Sequence, residues 1–210
     1  MDAPVGTVGL VIAVSLAGFL TSLALLAVIG AQNTYLLRQG LRGSHVGAVV
    51  AVGALSDVVL IAIGVTGIGT VVDHAHWALG AVRWLGIAFL TSYAISSLAR
   101  ARGASAPGAT PANADVRRVV VVRMAVLTWL NPHVYLDTVL LIGSLANAHG
   151  RDGRWWFGVG ACSASVVWFA TIGFGARLLA PYLTSRRAWN VVDIVTPLTM
   201  LFVAARLALS

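Results

Sequence analysis

Apolar residues in this chain neither alternate nor repeat on one helical face; they continue in long runs. Cutting the sequence at charged and Gly/Pro-rich positions leaves six stretches, roughly 8–37, 46–71, 78–98, 119–146, 155–180 and 189–209. Each is long enough for the roughly 20 residues that a helix needs to cross a hydrocarbon layer about 30 Å thick. The pattern predicts an all-α membrane protein with six transmembrane helices. The first and fourth stretches are longer than one crossing requires. Each contains a polar interruption, Gly30-Ala31-Gln32-Asn33 in one and Asn131-Pro132-His133 in the other, so both read as broken or tilted helices.

The stretch 99–118 is rich in Ala, Gly and Pro and lacks apolar periodicity, which marks it as a linker. It divides the chain into halves 1–98 and 119–210, each with three helices. An odd number of crossings per half starts the second half from the opposite side of the membrane, which is the arrangement of a 3+3 inverted repeat. Short internal echoes agree. Gly53-Ala54-Leu55-Ser56 resembles Gly160-Ala161-Cys162-Ser163, each followed by a Val-Val pair and then Ile-Gly, and Asn33-Thr34-Tyr35-Leu36 echoes the run from Asn131 to Leu136.

Composition strengthens the membrane reading. Hydrophobic residues make up 59% of the chain and charged residues 10%, against about 25% charged in soluble domains. All 14 basic side chains are Arg, all 7 acids are Asp, and the net charge is +7. That balance suggests nucleic acid in a soluble protein, but here most of the arginines lie in or beside loops, where positive charge sets membrane orientation. The first, third and fifth loops hold eight of them and the second and fourth hold three. This count puts the linker in the cytoplasm and both termini outside. The single Cys162 lies in an apolar run and leaves no disulfide partner and no Cys-based zinc site within one chain. No cofactor is expected.

A carboxylate inside the hydrocarbon costs about 2.5 to 3.5 kcal/mol on insertion scales, so it needs a reason. Asp57 lies near the predicted midplane of segment two, Asp137 follows the Asn-Pro break in segment four, and Asp193 is shallower in segment six. Asp57 and Asp137 suit a cationic substrate, a proton, or each in turn. The competing reading is a buried carboxylate satisfied by an arginine or a hydroxyl, such as Ser56 or Tyr135. The Asn131-Pro132 break frees backbone groups at membrane depth, which survive when they are buried in protein or line a wet cavity. Half-helix N-termini attract anionic groups there, and an amino acid offers a carboxylate. Gln32 and Asn33 can form the corresponding half-site. The plainer alternative is a proline kink capped by Asn131. His133 stands four residues before Asp137, on one helical face, and suits proton relay or a bond to a carbonyl. His74 and His76 lack nearby ligands beyond Asp73, and no metal site is expected.

These residues resemble the LysE-type basic amino acid exporters. The resemblance is carried by Gly30-Ala31-Gln32-Asn33 with Leu37-Arg38-Gln39-Gly40, by Ser56-Asp57 with Val58-Val59-Leu60-Ile61, and by Leu127-Thr128-Trp129-Leu130-Asn131-Pro132-His133 with Tyr135-Leu136-Asp137-Thr138. It implies a bacterial inner-membrane secondary exporter of L-arginine or L-lysine, driven by an electrochemical gradient and not an enzyme. Substrate binding then falls to Gln32, Asn33, Asp57, Asn131 and Asp137, and proton coupling to Asp57, His133 and Asp137. Alternatives on the same fold are export of neutral amino acids such as threonine or homoserine, for which paired acids are unnecessary, and of divalent cations. A membrane enzyme would need a nucleophile with its base or a metal cluster, and an ion channel would show flux far above transporter turnover.

Overall fold

A computed structural model of the chain describes residues 4–27, 30–67 and 116–183, with positions 84, 87–88, 91–92, 95, 198, 201 and 205. Almost all of the third and sixth stretches and of the linker lie outside the described residues, as do His74, His76 and Asp193. Among the described residues the ordered elements are all helical. They are α1 (Pro4–Leu26), α2 (Ala31–Arg42), α3 (Val46–Val65), α4 (Arg117–Trp129), α5 (Pro132–Val134), a π-helix (Tyr135–Ile142), α6 (Gly143–Asn147) and α7 (Gly150–Leu183).

Among the described residues three helices are long and apolar enough to cross a membrane: Val8–Leu26, Val46–Val65 and Gly150–Leu178, with mean hydropathies of 2.3, 2.4 and 1.6. Their outward faces carry the apolar residues. On α1, Val8, Leu10, Ile12, Leu16 and Leu20 are each more than half exposed, and Val159, Val166, Val167 and Phe174 are exposed on α7. An apolar exterior of this extent is a surface for lipid and not for water.

Both long stretches are interrupted. The first stops at Leu26 and restarts at Ala31 after Gly30, which is extended at φ −114° and ψ −176°. The second part, α2, is only 12 residues long and buries polar side chains, Gln32, Thr34 and Gln39, together with Ala31, Leu36 and Gly40. It ends at Gly43, whose φ of +73° is the left-handed conformation that glycine adopts without a Cβ penalty. The Gly43 N–H closes back on the carbonyls of Gln39 and Gly40. The fourth stretch breaks after α4 at Leu130-Asn131. Pro132 occupies the first turn of α5, where its missing N–H costs nothing. The next eight residues wind as a π-helix, a rare form that collects at functional sites.

The chain divides into two compact units. Unit 1 comprises residues 1–28, 54–79 and 133–168, and unit 2 comprises 29–53, 80–132 and 169–210. Each draws on both halves of the sequence. In unit 1 the core is Val14, Ile61, Val65, Ile142, Ala146, Phe157 and Ala161. Backbones touch around it because glycines remove the spacers. A Cβ on Gly18 would fall 2.1 Å from the Phe157 carbonyl oxygen, and one on Gly160 would fall 1.9 Å from that of Ser15. Gly64 packs on the π-helix in the same way, and a Cβ on it would fall 2.7 Å from the Val139 oxygen. In unit 2, α2 packs on α4, and Tyr35 donates to the Val120 carbonyl at 3.2 Å. Gly40 lies against the Gly173 backbone. Arg177 donates to the Gly43 carbonyl at 3.1 Å, placing a cation at the negative end of α2.

Candidate functional site

Asp57 is the twelfth residue of α3, about 17 Å along the helix from Val46 at 1.5 Å per residue. It is only 2% exposed. Its partner is a hydroxyl: Ser165 on α7 donates to Asp57 Oδ2 at 2.9 Å. Ser165 is itself fully buried. The two helices run antiparallel through unit 1, since Gly158 of α7 lies against Val65 at the far end of α3. Sequence reading offered Ser56 and Tyr135 as hydroxyl neighbours and did not single out Ser165. The available signal was a lone hydroxyl on a helical face otherwise formed by Phe157, Ala161 and Ala164, all buried.

Asp137, in the first turn of the π-helix, accepts from His133 Nδ1 at 2.7 Å. The predicted i, i+4 pairing on one face is therefore present, and both side chains are partly exposed. Thr138, next in the chain, returns its hydroxyl to the Val134 carbonyl at 2.6 Å. Unit 1 thus gathers Asp57, His133 and Asp137. Among the described residues, neither carboxylate is bonded to an arginine guanidinium. A crevice of about 490 Å³ in the same unit, walled by Ile61, Val65, Val159, Cys162 and Val166, is apolar and includes none of the candidate residues.

Gln32, Asn33 and Asn131 belong to unit 2. Gln32 sits in the first turn of α2 at 9% exposure, and among the described residues its Nε2 has no hydrogen-bond partner. An unmatched buried donor costs about 1 to 3 kcal/mol, so the position calls for an acceptor. The N-cap residue Gly30 contributes no side-chain bond to the helix start, and a helix N-terminus carries a partial positive charge. Amide and helix end together favour an anion such as a carboxylate. Asn131 is buried at the break itself, and Asn33 is partly buried. Among the described residues no three His, Cys, Asp or Glu side chains gather to hold a metal.

Comparison with known proteins agrees with this picture. The model of the LysE type translocator family matches residues 23–210. A Mycobacterium tuberculosis protein provisionally named amino-acid transporter Rv0488 is 46% identical over 186 residues, covering 87% of this chain and 90% of its own. Arginine exporter protein ArgO of Yersinia enterocolitica is 37% identical over 198 residues, covering 94% and 97%. Lysine exporter LysE of Corynebacterium diphtheriae is 34% identical over 223 residues, covering 92% and 98%. No solved structure matches the chain.

Proposed function

Since the chain belongs to the LysE type translocator family, we propose that it is a secondary exporter of cationic amino acids, L-arginine or L-lysine, in the bacterial cytoplasmic membrane. The observation that carries this reading is a buried aspartate in an apolar helix whose bond partner is a neutral hydroxyl, and among the described residues no guanidinium cancels its charge. The charge that a cationic substrate needs is left for it to find. Asp57 and Asp137 bind the substrate cation or a proton in turn, and His133 passes protons to Asp137. In unit 2, Gln32, Asn33 and Asn131 are substrate-binding positions, and the Gln32 amide suits a carboxylate.

Moving a cation outward against an inside-negative potential costs about 2.3 kcal/mol per 100 mV, so a proton moves inward in exchange. The linker is cytoplasmic, both termini lie outside, and the halves 1–98 and 119–210 rock as inverted repeats. The make-up of the compact units supports the repeat. Exchanging segment one with four and two with five turns the parts of those four segments in unit 1 into their parts in unit 2. The echoed Ile-Gly pairs follow the same rule: Gly64 packs on the helix after the second break, and Gly173 packs against α2 after the first.

The test is exchange in liposomes with labelled arginine, lysine, threonine and cadmium, with and without a pH gradient. Arginine or lysine exchange, with net export driven by inward protons, is the expected result. Threonine or cadmium carried in place of both basic amino acids would overturn the assignment. His133→Gln separates coupling from binding. It is expected to slow proton-driven net export about 10²-fold, as the loss of a proton-transfer group does, and to spare arginine–arginine exchange. Equal loss of both activities would remove His133 from the proton path.

A further inference from the structure

Asp57 and Ser165 are 108 residues apart in sequence, and packing alone does not require a hydroxyl where they meet. Ser165 is fully buried on a face with Ala161 and Ala164, where alanine would satisfy the size of the site. Burying a hydroxyl is unfavourable unless a polar partner receives it. Here the partner is one oxygen of one carboxylate.

We propose that Ser165 is the positioning residue for Asp57: it fixes the carboxylate rotamer and engages Oδ2, so that Oδ1 is the oxygen presented to the transported cation. The inference rests on the reading of Asp57 as the cation site. Register supports it. From the Val65–Gly158 contact to the Asp57–Ser165 bond, α3 retreats eight residues and α7 advances seven, about 12 and 10.5 Å at 1.5 Å per residue. The bond therefore belongs to a continuous helix–helix seam. The chemistry of a hydroxyl also suits a group that changes charge. Ser165 donates to an ionised carboxylate and can accept from a protonated one, so it keeps its hold on Oδ2 through both states. A guanidinium in its place would satisfy the ionised state alone and would cancel the charge that the substrate seeks.

The test uses the full-length protein in liposomes. Ser165→Ala is expected to raise the half-saturating arginine concentration for exchange about tenfold, equivalent to about 1.4 kcal/mol. The maximal rate is expected to stay within about twofold, and Ser165→Thr, which keeps the hydroxyl, to recover most of the loss. Reduced protein yield with unchanged half-saturation would assign Ser165 to packing and overturn the proposal.

A second measurement does not depend on the substrate. The infrared carboxyl band of protonated Asp57, identified by its disappearance in Asp57→Asn, is expected to move to higher wavenumber in Ser165→Ala as its hydrogen bond is lost. An unmoved band would overturn the proposal. A shifted band in a protein that carries no basic amino acid would uphold the hold of Ser165 on Asp57 and bring down the exporter reading alone.

Discussion

Asp57→Asn is expected to reduce net export of arginine and lysine to background while the protein accumulates in the membrane at the wild-type level. The amide has the shape of the carboxylate, and its oxygen can still accept from Ser165, so packing is preserved. A buried neutral amide is also less costly than a buried charge. Only the negative charge is removed. A hydrogen bond to a charged group is worth about 1.5 to 3 kcal/mol, so the substrate cation loses about tenfold to a hundredfold or more in affinity. Exchange that depends on protonating this group fails altogether. Asp137→Asn is expected to behave alike, with the added loss of the charged partner of His133. Export assays on cells or liposomes loaded with labelled substrate, normalised to membrane abundance, decide the matter. Wild-type export from either variant would refute its role.

The second large effect is structural. Gly160→Ala puts a methyl 1.9 Å from the Ser15 carbonyl oxygen and 2.9 Å from the Phe19 nitrogen, both backbone atoms of α1. No side-chain rotation relieves such a contact, so α1 and α7 must separate. The Gly18–Phe157 contact on the same seam and the core residues Val14, Phe157 and Ala161 lose packing with them. Overpacking costs about 1 to 3 kcal/mol in well-packed cores and more where backbone must move. A clear fall in the thermal midpoint in detergent and in membrane yield is expected. Gly175→Ala is the control: it lies on the same helix, has nothing within 4 Å of its Cβ position, and should leave the midpoint unchanged or raise it. Equal midpoints for the two variants would show that the close contact is not tight.

The candidate site was partly legible before any fold was known. Asp57 was conspicuous because a carboxylate in an apolar run is costly, and the His133–Asp137 pair followed from helical spacing after a proline. Ser165 was not conspicuous, because a serine in a membrane helix commonly bonds its own preceding turn, as Ser163 does with the Val159 carbonyl. Choosing between these uses requires knowing which helix lies opposite. Gln32 was identified as polar within an apolar segment, but its unmatched amide depends on what surrounds it in three dimensions. The π-helix is likewise invisible in the run Tyr135 to Ile142, whose composition suits an ordinary helix.

The sequence by itself determined three lipid-facing helices among the described residues, the two breaks and the places where charge enters the apolar runs. Each of these depends on local transfer free energies and backbone chemistry. The tertiary structure decided the partners: Ser165 for Asp57, glycine backbones in contact along α1 and α7, and compact units drawn from both halves of the chain. Those outcomes depend on which surfaces meet across more than a hundred residues, and no local preference encodes such a meeting.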